Sequence, residues 1–193
     1  MGAQVHGTQE FDAKKRAEVK FSDAAMETVK TIISRYPAGK QKSALLPVLH
    51  VAQAEFGGWL SPEVMDYVAS VLNIKPIEVF EVASFYTMYN LKPVGKCTLE
   101  ICQTSSCWLC GAEDIIKYIE KKLGIKVGET TRDGMFTLKV AECLGSCGTA
   151  PMMQCGASFH ENLTYEKVDA IIEKYKSEGR LRSYTDLDYN NTL

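Results

Sequence analysis

Apolar residues recur at helical spacing from Ser22 onward. Met26, Val29, Ile32, Ile33 and Tyr36 follow a Ser22 cap, and Pro37-Ala38-Gly39 closes the run. A second helical pattern carries Ala44, Leu45, Val48, Leu49, Ala52 and Phe56 to Gly57-Gly58, and Pro47 suits it only in the first turn or as a kink. Ser61-Pro62-Glu63 reads as a helix start, with Ser as cap, Pro at the first helical position and Glu favoured by the dipole. That third helix ends near Leu72-Asn73. Pro76 opens a fourth, with Val79, Phe80, Ala83 and Met88 expected on its buried face. Four helices joined by short loops predict a small antiparallel bundle.

The pattern changes after the turn-rich segment Lys92-Pro93-Val94-Gly95-Lys96. Cys97, Leu99 and Ile101 alternate with Thr98, Glu100 and Cys102, the mark of a half-buried strand. Ile115, Ile116, Ile119 and Leu123 form an amphipathic helix closed by Gly124. Asp133-Gly134 turns into a second strand at Phe136, Leu138 and Val140, and residues 151–155 read as a short third. Residues 158–162 read as a turn into a fourth short strand or a helix start. Thr164 caps a last helix bearing Val168, Ile171, Ile172 and Tyr175, which Gly179 ends. The expected class is α+β: a polar arm over 1–21, a four-helix bundle over 22–92, an α/β domain over 93–179 and a polar tail over 180–193.

Composition narrows the function classes without choosing one. The chain has 193 residues, 22 basic against 24 acidic side chains, and a formal charge of −2. Nucleic acid or an anionic membrane surface as main partner would call for a basic excess. The first twenty residues lack an apolar core and resemble neither a secretory signal nor a transit peptide. No apolar run approaches the roughly 20 residues of a membrane span. With seven cysteines and no secretory signal, a reducing compartment and metal or redox chemistry are expected. Neither G-x-G-x-x-G after a strand nor G-x-x-x-x-G-K-[ST] occurs, so the chain offers no nucleotide cradle of its own.

The strongest chemical signal is Cys102-Gln-Thr-Ser-Ser-Cys107 with Cys143-Leu-Gly-Ser-Cys147. Each pair sits in a loop rich in small residues at the end of a predicted strand. Gly145, Ser146 and Gly148 would let backbone N–H groups approach sulfur and tune a thiolate-ligated cluster. Gaps of four and three residues suit a [2Fe–2S] diamond core with one iron per pair, whereas structural zinc favours tighter C-x2-C knuckles. The alternatives are a zinc site, buried thiol pairs without metal, and the plant-type spacing Cys102-x4-Cys107-x2-Cys110 with Cys143; the last would leave the Cys143–Cys147 pair without a purpose, so Cys110 is read as a bystander. Cys107-Trp108-Leu109-Cys110 also has the form of a thiol–disulfide couple. The histidines are dispersed: His50 in an apolar helix, His6 in the arm and His160 in a turn. Phe85, Tyr86, Met88 and Tyr89 form an aromatic-rich stretch, read either as packing between the two domains or as a partner contact.

ECLGSCGTAP, the C-x4-C pair ahead of a helix, and FGGWLSPEVMDYVASVLNIKPIEVFEVASFYTMYNLKPVGK resemble the thioredoxin-like [2Fe–2S] ferredoxin family over about residues 22–179. The resemblance implies a helical bundle followed by a thioredoxin-like domain, with one [2Fe–2S] cluster on Cys102, Cys107, Cys143 and Cys147. It implies an electron-transfer subunit of respiratory NADH:quinone oxidoreductase, cytoplasmic and peripheral to the inner membrane. The cluster would accept an electron from FMN on a partner flavoprotein subunit that also binds NADH. The equivalent subunit of a soluble NAD-dependent hydrogenase or formate dehydrogenase is the alternative; a thiol–disulfide oxidoreductase or a zinc-stabilised interaction module stands further off. Cys110 and Cys155 depart from the family pattern, and with Cys97 they complete the seven.

Overall fold

In the computed structural model the described residues are 19–179. The expected arm up to residue 18, with His6, and the tail from residue 180 lie outside them. Ser22 caps α1 (Asp23–Ser34), its hydroxyl accepting from the Ala25 amide. A 3₁₀ turn over Gln41–Ala44 leads into α2 (Leu45–Glu55), where Pro47 sits in the first turn, the place that tolerates it. Ser61 caps α3 (Pro62–Leu72) in the same way, accepting from Val64, and Asn73 ends it in the left-handed region. α4 (Pro76–Phe85) begins with the Lys75 amide donating to the Glu78 carboxylate.

These helices share one core. Val29, Val48, Leu49, Leu60, Val68, Leu72 and Val79 are fully buried in it. Within α4 only Val79 and Ala83 are buried, whereas Ile77, Phe80 and Phe85 face solvent. Phe80 is therefore not the buried residue that the spacing predicts. The segment is apolar on nearly every side, and periodicity alone cannot choose a face.

The second half is built on β1 (Cys97–Cys102), the short α5 (Ser105–Leu109), α6 (Ala112–Leu123), β2 (Phe136–Ala141), β3 (Met153–Cys155), β4 (Ser158–His160) and α7 (Tyr165–Glu178). Nothing in the hydrophobic pattern announces α5. His160 belongs to β4, not to a turn. The sheet order is β2-β1-β3-β4 and the sheet is mixed: β1 runs parallel to β2, while β3 is antiparallel to β1 and β4 to β3. Leu99, Ile101, Leu138 and Met153 pack with Ile115 and Ile119 of α6 and with Val168, Ile172 and Tyr175 of α7. The architecture is α+β with a thioredoxin-like arrangement of helices on a mixed sheet.

On its other face β1 presents Thr98 and Glu100 to a cavity of about 430 Å³, closed opposite by His50 and Gln53 of α2 and by Asn90. Lys139 of β2 ties the two halves together there. Its Nζ lies 2.7 Å from Glu100 Oε1, 2.9 Å from Asn90 Oδ1 and 3.2 Å from Thr87 O.

Burial also sets a pH window for stability. The His50 ring lies tilted against the Tyr89 ring, 5.1 Å between centroids, and His160 lies 2.8 Å from the Tyr175 hydroxyl. Desolvation lowers the pKa of both. The unfolded chain therefore binds more protons than the folded one below about 6.5, and stability falls as the pH drops through that value toward the folded pKa values. On the alkaline side, burial raises Cys97 to about 11 and raises Cys155 further. Stability then falls again above about 9, where unfolded thiols ionise. Urea midpoints are expected to be highest between these limits, and His160→Gln should flatten the acid limb. A midpoint independent of pH between 5 and 7.5 would contradict the assignment.

Candidate metal centre

Parallel pairing decides where the cysteine loops go. Cys102, the last residue of β1, stands in register with Ala141, the last residue of β2. Because the strands are neighbours running the same way, both chains leave the sheet at the same end. The first loop climbs into α5, which holds the Cys107 thiol buried. The second reaches Cys143 two residues after β2 and turns through Gly145, at φ +83°, to Cys147 at the start of a 3₁₀ turn. The Glu161 carboxylate holds this second loop, accepting from the Ser146 hydroxyl and, at 2.7 Å, from that of Thr149.

Cys143 Sγ and Cys147 Sγ are 3.5 Å apart. That is far beyond a disulfide bond, and it approaches the ~3.8 Å expected of two thiolates on one tetrahedral metal with bonds of about 2.3 Å. Cys102 and Cys107 shift each other's proton affinity, and the charge of Cys102 raises both Cys143 and Cys147. Among the described residues no three Cys, His, Asp or Glu side chains converge on a point suited to a single ion. The donor set is two pairs of thiols in loops that leave the same end of the sheet, an all-thiolate set of the kind that holds a [2Fe–2S] cluster.

The proton affinities of the four sulfurs split within each pair. Burial raises Cys102, but the Thr104 hydroxyl, the Thr104 and Leu144 amides and the Cys107 thiol together pull it below the ordinary thiol range. Burial and the neighbouring Cys102 push Cys107 up to about 11. The Gly145 amide, the Cys147 thiol and the Thr104 hydroxyl lower Cys143, while the hydrogen bond and charge of Cys143 raise Cys147 against the Ser106 hydroxyl. One thiolate per pair forms readily and the second is opposed by its neighbour. A bound cation removes that opposition.

Gly145 supplies a sulfur-bonding amide, as the loop composition leads one to expect. The Ser146 hydroxyl instead serves Glu161 and Thr149. Thr104, Ser106 and Glu161 are not among the residues that the cysteine spacing singles out. Thr104-Ser-Ser-Cys107 has the form of a helix cap, which is the signal available for α5, yet no side-chain cap bond forms there. Thr104 Oγ1 lies instead 3.3 Å from Cys102 Sγ. Cys110 is exposed at the C-terminal end of α5, and Cys97 and Cys155 are buried. Of the aromatic stretch, Tyr89 is buried against the helical core and donates to Leu46 O at 2.8 Å, whereas Phe85 is 77% exposed. Beside the thiols, Trp108 and Leu109 are also exposed, at 59% and 76%.

A sequence profile of the thioredoxin-like [2Fe–2S] ferredoxins matches residues 29–176. Over 158 residues the chain is 44% identical to the E-type subunit of the NADH-quinone oxidoreductase of Rickettsia felis, covering 82% of this chain and 95% of that one. Over 157 residues it is 41% identical to the second E-type subunit of the NADH-quinone oxidoreductase of Rhizobium meliloti, covering 81% and 92%. The crystal structure of an NAD⁺-reducing [NiFe]-hydrogenase in the air-oxidised state superposes with a TM-score of 0.59 at 20% identity. That match covers 69% of this chain and 23% of the longer hydrogenase chain, and it speaks to the fold alone.

Proposed function

The chain belongs to the thioredoxin-like [2Fe–2S] ferredoxin family, and on that premise we propose that Cys102, Cys107, Cys143 and Cys147 ligate its one cluster in two pairs. It is an electron-transfer subunit of an NADH:quinone oxidoreductase, with no complete active site on this chain alone. Bound there, the cluster supplies a reversible one-electron carrier of low potential. The residues around it hold and orient the ligands: β1 and α5 keep Cys102 and Cys107 out of water, and Glu161 braces the exposed loop of Cys143 and Cys147. The observation that carries the reading is the register of Cys102 with Ala141, which delivers both loops to one end of the sheet.

The partner in this reading is the flavoprotein subunit that holds FMN and NADH. Exposed Trp108 and Leu109 beside the cysteines, together with Phe85 and Tyr86, supply the aromatic and apolar surface that such a contact favours. The four N-terminal helices are read as a bundle domain over 22–92, set against the cluster domain over 93–179. Among the described residues no helix is long and apolar enough to cross a membrane, and the protein is placed at the inner membrane's periphery through its complex. Anaerobically purified protein should contain about two irons and two acid-labile sulfides per chain, with one EPR-active spin after dithionite. Colourless protein with stoichiometric zinc would overturn the ligand assignment.

A further inference from the structure

Groups on each cysteine loop shift the proton affinities of the sulfurs on the other. The Leu144 amide of the second loop serves Cys102 of the first. In return the Thr104 hydroxyl of the first loop lowers the proton affinity of Cys143, and the Ser106 hydroxyl lowers that of Cys147. Thr104 differs from the others because its hydroxyl also lies 3.3 Å from Cys102, within its own loop. Its hydroxyl is therefore set directly against a sulfur of the buried pair. It stands at the cap position of α5 in extended backbone and caps no amide, and its β-branch limits the rotamers that could turn the hydroxyl away.

We propose that Thr104 is a positioning residue whose hydroxyl, held 3.3 Å from Cys102 Sγ, raises the reduction potential of the bound cluster. The physical reason is charge. Adding one electron makes the thiolate-ligated group more negative, and a donor aimed at its sulfurs favours that form. A hydroxyl has one proton to donate, and replacing Thr104 by Val removes it from Cys102. The amide donors cannot be deleted by side-chain substitution, but this one can. The inference rests on the ligand assignment above.

The test is an EPR-monitored redox titration of the full chain as wild type, Thr104→Val and Thr104→Ser. Val keeps the shape without the hydroxyl and should shift the equilibrium about tenfold toward the oxidised form, equal to about 59 mV for one electron, while Ser should stay within about twofold of wild type. A Val variant within about twofold of wild type overturns the proposal, as does a Ser variant shifted as far as Val, since packing would then be the cause. Should the Val variant bind no cluster, Thr104→Ala is titrated in its place against the same limits. A wild-type chain that binds no iron overturns the ligand assignment itself, an outcome distinct from an unmoved potential.

Discussion

Replacing Cys147 by Ser should abolish the visible charge-transfer absorbance and the reduced-state EPR signal, while Cys110→Ser should leave both in place. Cys147 lies 3.5 Å from Cys143 and interacts electrostatically with Cys102. Serine presents a hydroxyl that does not ionise near neutral pH, so one corner of the donor set disappears. Altering an outer-shell partner of a metal ligand already costs about 10–100-fold in affinity, and loss of a ligand should cost at least that in iron occupancy. Cys110, although only three residues beyond Cys107, is exposed at the end of α5 while Cys107 is buried. The opposite result, a coloured Cys147→Ser and a colourless Cys110→Ser, would move the site to the plant-type spacing.

Leu138→Ala should be strongly destabilising. Leu138 is fully buried in the middle of β2, directly beside Leu99 of β1. Truncating such a residue costs about 3 kcal/mol, within a usual range of roughly 2–5. Set against a total stability of about 5–15 kcal/mol, that is a large fraction. It corresponds to a fall in Tm of about 6–12 °C for a chain of this size. Thr98→Ala, on the cavity-facing side of β1, should cost under about 1 kcal/mol. Thermal unfolding followed by far-UV circular dichroism and visible absorbance distinguishes the two, and equal small losses would contradict the packing described.

Local signals were legible where one short stretch contains all the interacting atoms. Ser22, Ser61 and Thr164 each cap a helix through the side-chain bond that their position suggests. Gly179 ends α7 in the left-handed conformation that favours glycine. The alternation of 97–102 marked β1 with the correct bounds. Phe80 faces solvent against its spacing for a related reason: whether it points inward depends on how α4 meets its neighbours, which no periodicity within an almost uniformly apolar segment can state. The short α5 has too few turns to show a period at all.

The site divides along the same line. By itself the sequence determined four cysteines in two closely spaced pairs, the small residues between them, and a resemblance specific enough to name the family. Only the tertiary structure decided that the pairs meet. That follows from parallel hydrogen bonding between strands some forty residues apart, with Cys102 level with Ala141, a register set by which faces of α6 and α7 bury the sheet. It also decided that Thr104 sits against Cys102 and that Glu161 braces the loop of the other pair. Those contacts join residues that are distant along the chain or that lack any helical or strand spacing, so they arise only when the core closes and brings the loops together.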